Sequence, residues 1–353
     1  MTRLRDLGIS VGRLPTGRFN AITDVSGVLV GHATVITDSP STVRTGVTMI
    51  VPRNNDIWTN YAFCGWQSFN GNGEMTGIPW IEESGMLGSP VGITNTHQVG
   101  LVRDTLVRFG VEAGVEGFHL PVVAETFDGW LSDIDSFALT ESDVRAAIAT
   151  AAGGAVAEGS VGGGTGMICH EFKGGIGTSS RVVDRAMHSY TVGVLVQANY
   201  GSRPDLRVDG VPVGRVISYD QVPAPWPARE PGGSIIVIVA TDAPILSDQC
   251  RRLARRATVG LARVGGVGHN GSGDIFFALA TGNDLEAGRA DPYQLRMLPH
   301  DHLDGLFAAV ADATEEAILN ALCAAETMTG FKGRTAYALP VDQMVEIVQR
   351  HRL

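Results

Sequence analysis

Basic runs, paired cysteines and long apolar stretches are all missing from this chain, and each absence closes off a class of function. Lys and Arg number 27 against 37 Asp and Glu in 353 residues, a formal net charge of −10. That sign of charge, with no Lys/Arg-rich run, excludes a nucleic-acid groove. The four cysteines (Cys64, Cys169, Cys250, Cys323) are far apart and form no Cys-x-x-Cys pair. They are expected to be reduced core thiols, not a disulfide framework or a metal site. No stretch approaches the roughly 18 apolar residues of a membrane span. The opening residues, MTRLRDLGIS, lack the apolar core of a signal peptide. A soluble cytoplasmic protein is the expectation.

Common catalytic signatures are absent too. There is no His-Glu-x-x-His zinc pair and no Gly-x-Ser-x-Gly elbow. The glycine run GSVGGGTG at 159–166 lacks the preceding strand and distal acid of a dinucleotide fingerprint. The nine histidines are scattered; His97, in NTHQVG, reads as structural or as a support behind a site residue, and is assigned no role. No metal or cofactor is expected.

Glycine is what the chain has in abundance. Its 45 glycines are roughly twice what an average usage of about 7% would supply. They follow no collagen-like period, so they imply tight turns and close backbone approaches. With 44% hydrophobic and 18% charged residues, the chain is able to bury a large core as one large domain or two ordinary ones. Short β-branched runs predict strands at Val47–Val51, Val91–Thr94, Pro121–Ala124, Val192–Ala198 and Ser234–Ala240. Helical periodicity predicts helices over Glu141–Ala157, Ser247–Val264, His302–Met328 and Val341–Arg350. Strands and helices are interspersed, which supports an α/β or α+β layered fold.

Residues 201–233 are rich in Pro and Gly, read as an exposed linker, and end in Pro231-Gly232-Gly233. SIIVIVA follows without an intervening turn. On residue types alone this is first of all the turn before a strand. It also suits a particular chemistry. A serine hydroxyl is a weak nucleophile until a base takes its proton. If the Gly233–Ser234 bond breaks, Ser234 carries its own α-amine, whose pKa of about 7.7–8.0 suits a general base near neutral pH.

PGGSIIVIVATDAPIL, the helix with CRRLARRATVGLARVG, and NGSGDIFFALATGN together resemble the start of the β-piece in the DmpA-type family. That family comprises L-aminopeptidase/D-amidase-esterases and β-peptidyl aminopeptidases. The resemblance spans nearly the whole chain, through ITDVSGVLVGHATV, NGNGEMTGIPWIEESG, ITNTHQVG, ETFDGWLSDI, GSVGGGTGM, FKGGIGTSSR, VLVQANYG and ATEEAILNAL. It implies a layered α/β sandwich like that of the N-terminal-nucleophile hydrolases and of the ornithine acetyltransferases, which share the family's fold. It also implies a precursor cut between Gly233 and Ser234 into pieces 1–233 and 234–353. The activity implied is removal of N-terminal residues from small peptides, amides or esters, in a tetramer of α/β heterodimers.

The resemblance assigns roles residue by residue. Ser234 is the nucleophile. In NGSGD, Ser272 and Asp274 form a relay in which the carboxylate orients the hydroxyl and Ser272 contacts the nucleophile or its amine. The family can carry Glu where Asp274 stands. Asn199 in VQANYG is the oxyanion donor. Some members have an oxyanion-assisting Tyr at the third position of ETFDG; Phe127 stands there without a hydroxyl. Glu125, after the apolar PVVA, is the candidate anchor for a substrate ammonium. A competing cut at Gly271–Ser272 is set aside, because the following IFFALATGN matches an internal family segment. Two other functions stand beside the hydrolase: an acyltransferase of the ornithine acetyltransferase kind, and a non-enzymatic remnant. The first uses Thr where this chain has Ser234; the second is hard to reconcile with Ser234, Ser272, Asp274, Asn199 and Glu125 all being present.

Overall fold

The computed structural model describes residues 2–184, 188–226 and 233–352. Pro231 and Gly232 of the junction lie outside the described residues.

The chain folds into two stacked sheets with helices on both outer faces. The smaller sheet runs β1 (Leu29–Thr37), β2 (Val43–Val51), β5 (Val91–Asn95) and β6 (Val122–Thr126), with only the last pair parallel. The larger runs β4 (Met86–Leu87), β3 (Asn60–Gly71), β12 (Ser272–Glu286), β11 (Gly233–Thr241), β10 (Ser189–Tyr200) and β9 (Gly175–Asp184). Its single parallel pair is β11 with β12. Short ribbons pair β7 (Ile168–Cys169) with β8 (Phe172–Lys173), and β13 (Met328–Thr329) with β14 (Thr335–Ala336).

Strand alternation sorts the core into layers. In β11, Ile236, Ile238 and Ala240 face the inter-sheet core with Ile50, Ile93 and Ala124. Ile235, Val237 and Val239 face the outer helices α5 (Ser247–Val264) and α6 (Asp304–Ala324). All six are fully buried, and each large aliphatic among them contributes roughly 1.5–3 kcal/mol of transfer free energy. Helices α2 (Val99–Glu112) and α3 (Glu141–Ala149) cover the small sheet, while α7 (Val341–Arg352) joins the α5/α6 layer. The short helices α1 (Ile78–Ser84) and α4 (Val213–Val216) lie in connections. A buried Arg181–Glu316 ion pair, 2.6 Å, ties α6 to β9. The fold is thus the α/β layered sandwich expected.

Differences from the sequence reading have local causes. The helix predicted over Glu141–Ala157 ends at Ala149, because Ala152 leaves it to exchange two backbone hydrogen bonds with Val30 of β1. The helix predicted from His302 starts at Asp304 and stops at Ala324, with a separate turn at His300–His302. The strand predicted at Pro121–Ala124 lies at Val122–Thr126, since proline has no N–H for the ladder. The segment read as an exposed linker is packed through its first half, with Arg203, Leu206, Val208, Val213 and Ile217 buried. Arg203 stacks between Phe172 and Tyr219 at 4.4 and 4.5 Å. The four cysteines are free and buried. Among the described residues no helix is long and apolar enough to cross a membrane, and no cluster of His, Cys, Asp or Glu could hold a metal ion.

Candidate active site

The parity of β11 that buries Ile236 and Ile238 between the sheets also aims Ser234 there, at the strand's first turn outward. Asn199 of β10 is its direct cross-strand partner, so both side chains emerge on the same face. There they open into a cavity of about 480 Å³. Glu125 and Phe127, from the end of β6, reach it from the opposite sheet. Four residues from distant parts of the chain therefore share one hollow between the two sheets.

Gly233 occupies a backbone φ of +110°, a region that disfavours any residue with a Cβ. A Cβ there would also run into the Asn199 carbonyl oxygen. This is why a glycine precedes Ser234. Gly273, opposite Ser234 in the parallel ladder, donates its N–H to the Ser234 hydroxyl at 3.0 Å. A Cβ on Gly273 would come within 2.6 Å of the Asn72 carbonyl oxygen. The NGNGE segment at 70–74 thus closes tightly over NGSGD.

Asn199 is held at both ends. Its Oδ1 accepts from the Ile168 N–H at 2.8 Å and its Nδ2 donates to the Phe127 carbonyl at 2.9 Å. The first contact fixes which end of the amide is which, leaving a second N–H for the cavity. Phe127 therefore contributes its backbone to the site, and its half-exposed ring to the wall.

Glu125 is 3% exposed. Oε1 accepts from the Glu74 N–H at 3.0 Å and Oε2 accepts from the Thr96 hydroxyl. Among the described residues it forms no ion pair. Burial pushes its pKa above the ordinary carboxylate value, against the pull of those two hydrogen bonds. A cavity-lining carboxylate that forms no ion pair, with His97 acting on it only from a distance, is the complement of a ligand cation.

Ser272 and Asp274 sit on the opposite face of the sheet from the Ser234 side chain. The register sets Ser272 beside Gly233 and Asp274 beside Ile235. Both are thus out of phase with Ser234 and face the helix layer rather than the cavity. The relay pair itself exists: Ser272 Oγ lies 2.8 Å from Asp274 Oδ2 and 2.7 Å from the His269 carbonyl oxygen. Burial raises the Asp274 pKa to about 6. With Asp274 ionised, the serine hydroxyl donates to it; with Asp274 protonated, the acid donates to Ser272, which then donates to His269. The structure records no hydrogen bond between Ser272 and the Ser234 hydroxyl; Gly273 takes that place.

Several cavity residues were not singled out from the sequence. Trp130 and Trp226 meet edge to face at 5.7 Å, and Arg334 stacks on Trp130 at 3.8 Å. With Ile168 they form an apolar wall. Thr96 is bonded to Glu125, and Asn72 and Gly73 line the rim. A lone tryptophan carries no local signature of a wall, although Trp130 and Thr96 lie within the ETFDGWLSDI and ITNTHQVG motifs. His97 lies outside the cavity, pairing with Asp135 at 3.2 Å.

Comparison with known proteins agrees with this geometry. Residues 20–336 match peptidase family S58. A β-peptidyl aminopeptidase of Sphingosinicella microcystinivorans is 46% identical, across 99% of this chain and 92% of the relative. The structure of a Burkholderia β-aminopeptidase superposes with a TM-score of 0.93 at 49% identity, covering 99% of both chains. An L-aminopeptidase D-Ala-esterase/amidase from Ochrobactrum anthropi, described as a variant of the Ntn-hydrolase fold, gives 0.93 at 41% identity, covering 100% of this chain and 99% of that one. Nothing among these findings supports the acyltransferase alternative. Family match, relatives and fold converge: the chain belongs to peptidase family S58 and is a serine-type hydrolase of the aminopeptidase/amidase kind.

Proposed function

We propose that Ser234 is the nucleophile of this hydrolase, freed when the chain cuts itself between Gly233 and Ser234. The observation that carries the reading is the convergence of Ser234, the Asn199 amide and the unpaired Glu125 carboxylate on one cavity. In self-cleavage the Ser234 hydroxyl attacks the Gly233 carbonyl carbon, the peptide shifts to an ester, and water hydrolyses it. The products are pieces 1–233 and 234–353, the second bearing a free α-amine. That amine lies in the strand backbone, between the cavity face and the Ser272 face of β11.

In turnover, Glu125 receives the substrate's α- or β-ammonium by a charge-assisted hydrogen bond. The Ser234 Oγ attacks the first carbonyl carbon while the Ser234 amine takes the hydroxyl proton. The free Asn199 N–H is the donor available to the developing oxyanion, while the Gly273 N–H holds the Ser234 Oγ. The amine returns its proton to the leaving group, and water then hydrolyses the acyl-enzyme. Ser272 and Asp274, behind the strand, set the protonation and orientation of the amine. The Trp130–Trp226 wall suits an apolar leaving portion. Small peptides, amides and esters are the substrates. Assembly as a tetramer of α/β heterodimers and a cytoplasmic location complete the reading, the latter in keeping with four free buried thiols.

N-terminal sequencing of the smaller fragment on a denaturing gel tests the cut. It should begin SIIVIV; a fragment beginning SGDIFF would sink the assignment. Assaying α-L-, D- and β-amino anilides side by side then sorts the substrate class, and sizing at native concentration checks the assembly.

A further inference from the structure

The FKGGIG segment has no part in the reading above, yet it holds an unusual group. Only Lys173 and Lys332 are lysines among the 27 basic residues of the chain, and Lys173 is fully buried. Its Nζ contacts three backbone carbonyl oxygens: Gly174 at 2.8 Å, Met167 at 2.9 Å and Gly164 at 3.4 Å. Three acceptors match the three N–H donors of an ammonium, whereas a neutral amine would turn a lone pair toward one of them. A planar guanidinium has no such compact geometry. Among the described residues no carboxylate pairs with it, and burial pulls its pKa down to about 7. An uncompensated buried cation is costly, so its placement asks for a reason.

The Met167–Ile168 peptide supplies one. Its carbonyl accepts from Lys173 Nζ and also from the Gly174 N–H at 2.8 Å. Its N–H is the donor to Asn199 Oδ1. A continuous hydrogen-bonded chain therefore runs from the ammonium through one peptide unit into the Asn199 amide, whose free N–H faces the cavity. In a low-dielectric interior such chains polarise each bond along their length. Polarising the peptide strengthens its N–H as a donor, and drawing electrons toward Oδ1 strengthens the amide N–H in turn. The hairpin is tight, with His170 and Glu171 at φ +49° and +62°, which brings Lys173 back under Ile168.

We propose that Lys173 is a positioning residue for the oxyanion: its ammonium, clamped on the glycine-rich loop, orients and polarises the Met167–Ile168 peptide that holds Asn199. This rests on Asn199 being the oxyanion donor. The test is a double-mutant cycle over Lys173→Gln, Asn199→Ala and the pair. It follows self-cleavage rate, kcat and KM on an alanine anilide, with thermal unfolding alongside. Lys173→Gln should lower kcat and slow self-cleavage by a factor below the roughly 10²–10³ expected for deleting an oxyanion donor. KM should stay within about twofold, and the pair should be no slower than Asn199→Ala alone, since both act on the same atom. Lys173→Met is the sharper variant. Should it fail to fold, Lys173→Gln, whose amide still donates to two carbonyls, decides. Unchanged kcat in Lys173→Gln, or effects that multiply in the pair, overturns the proposal and leaves Lys173 a loop clamp. Full activity in Asn199→Ala overturns the oxyanion reading beneath it. A collapse in Asn199→Ala with Lys173→Gln unaffected removes the Lys173 role alone.

Discussion

Two Gly-Ser steps begin neighbouring parallel strands, Gly233-Ser234 on β11 and Gly271-Ser272 on β12, and they point opposite ways. The ladder pairs Gly233 with Ser272 and Ser234 with Gly273, an offset of one residue. Because side chains alternate along a strand, one residue of offset reverses the face. Ser234 opens onto the inter-sheet cavity and Ser272 onto the helix layer beside Asp274. The same dipeptide thus has two environments, one exposed to a ligand and one sealed with a carboxylate. Its chemistry follows from register, not from composition.

The sharpest way to break that comparison is to delete each hydroxyl. Ser234→Ala should remain a single chain without detectable peptidase activity. Ser272→Ala should still cut and turn over, more slowly, because the nucleophile is intact; band pattern and initial rates on the same preparation check both. Equal and complete loss in the two variants would mean that the faces are not functionally distinct.

Glu125→Gln separates the cavity's ligand-binding end from its cutting end. Removing the charge should weaken kcat/KM on free-amine substrates by roughly 1.5–3 kcal/mol, the worth of a hydrogen bond to a charged group. Self-cleavage involves no free ammonium and should proceed. N-acetylated substrates should be poor for the parent enzyme. Blocked maturation with an unaltered preference for free amines would place Glu125 in the cutting machinery or the fold.

Acidity sharpens the sealed side. Burial raises the Asp274 pKa to about 6, so the carboxylate is ionised above that pH and protonated below it. If the ionised form orients Ser272, kcat should fall more steeply as pH drops through about 6, beneath the limb that protonation of the Ser234 amine, ordinarily at about 7.7–8.0, already sets and well above the roughly 3.9 of a free aspartate. Asp274→Asn should lower kcat and abolish the lower limb. A pH–rate profile of the two proteins decides; an unaltered lower limb in the variant would assign it elsewhere. The smallest expected effect is that of chelation: exhaustive EDTA treatment should leave hydrolysis unchanged, and activity restored by zinc would overturn the serine mechanism.

Legibility in the sequence followed how local the cause was. The helix Ser247–Val264 is found with the boundaries its periodicity predicted, and a capping glycine at φ +109° ends it. The strand after Gly-Gly is found one residue longer at each end. By contrast, the helix after Ala149 is stopped by pairing of Ala152 with Val30, more than a hundred residues earlier, together with the local Gly153-Gly154, the latter at φ +96°. The packed half of 201–226 was read as linker because its Pro and Gly content masks buried positions such as Leu206 and Val213. Trp130 and Trp226 become a wall only by meeting across the cavity mouth.

Within the sequence alone, the residue types and their order already determined the layered class, the β11 strand and the chemical inventory of serines, carboxylates and amide. The need for glycine at 233 and 273 is not of that level, since the carbonyls of Asn199 and Asn72 that a side chain would strike are brought there by the fold. Tertiary structure decided which of those groups meet. The one-residue offset between β11 and β12 sends Ser234 and Ser272 to opposite faces. The stacking of two sheets carries Glu125 to the Ser234 cavity, and a hairpin fold brings Lys173 beneath the peptide that holds Asn199. Those placements depend on long-range pairing and inter-sheet packing, which no window along the chain contains.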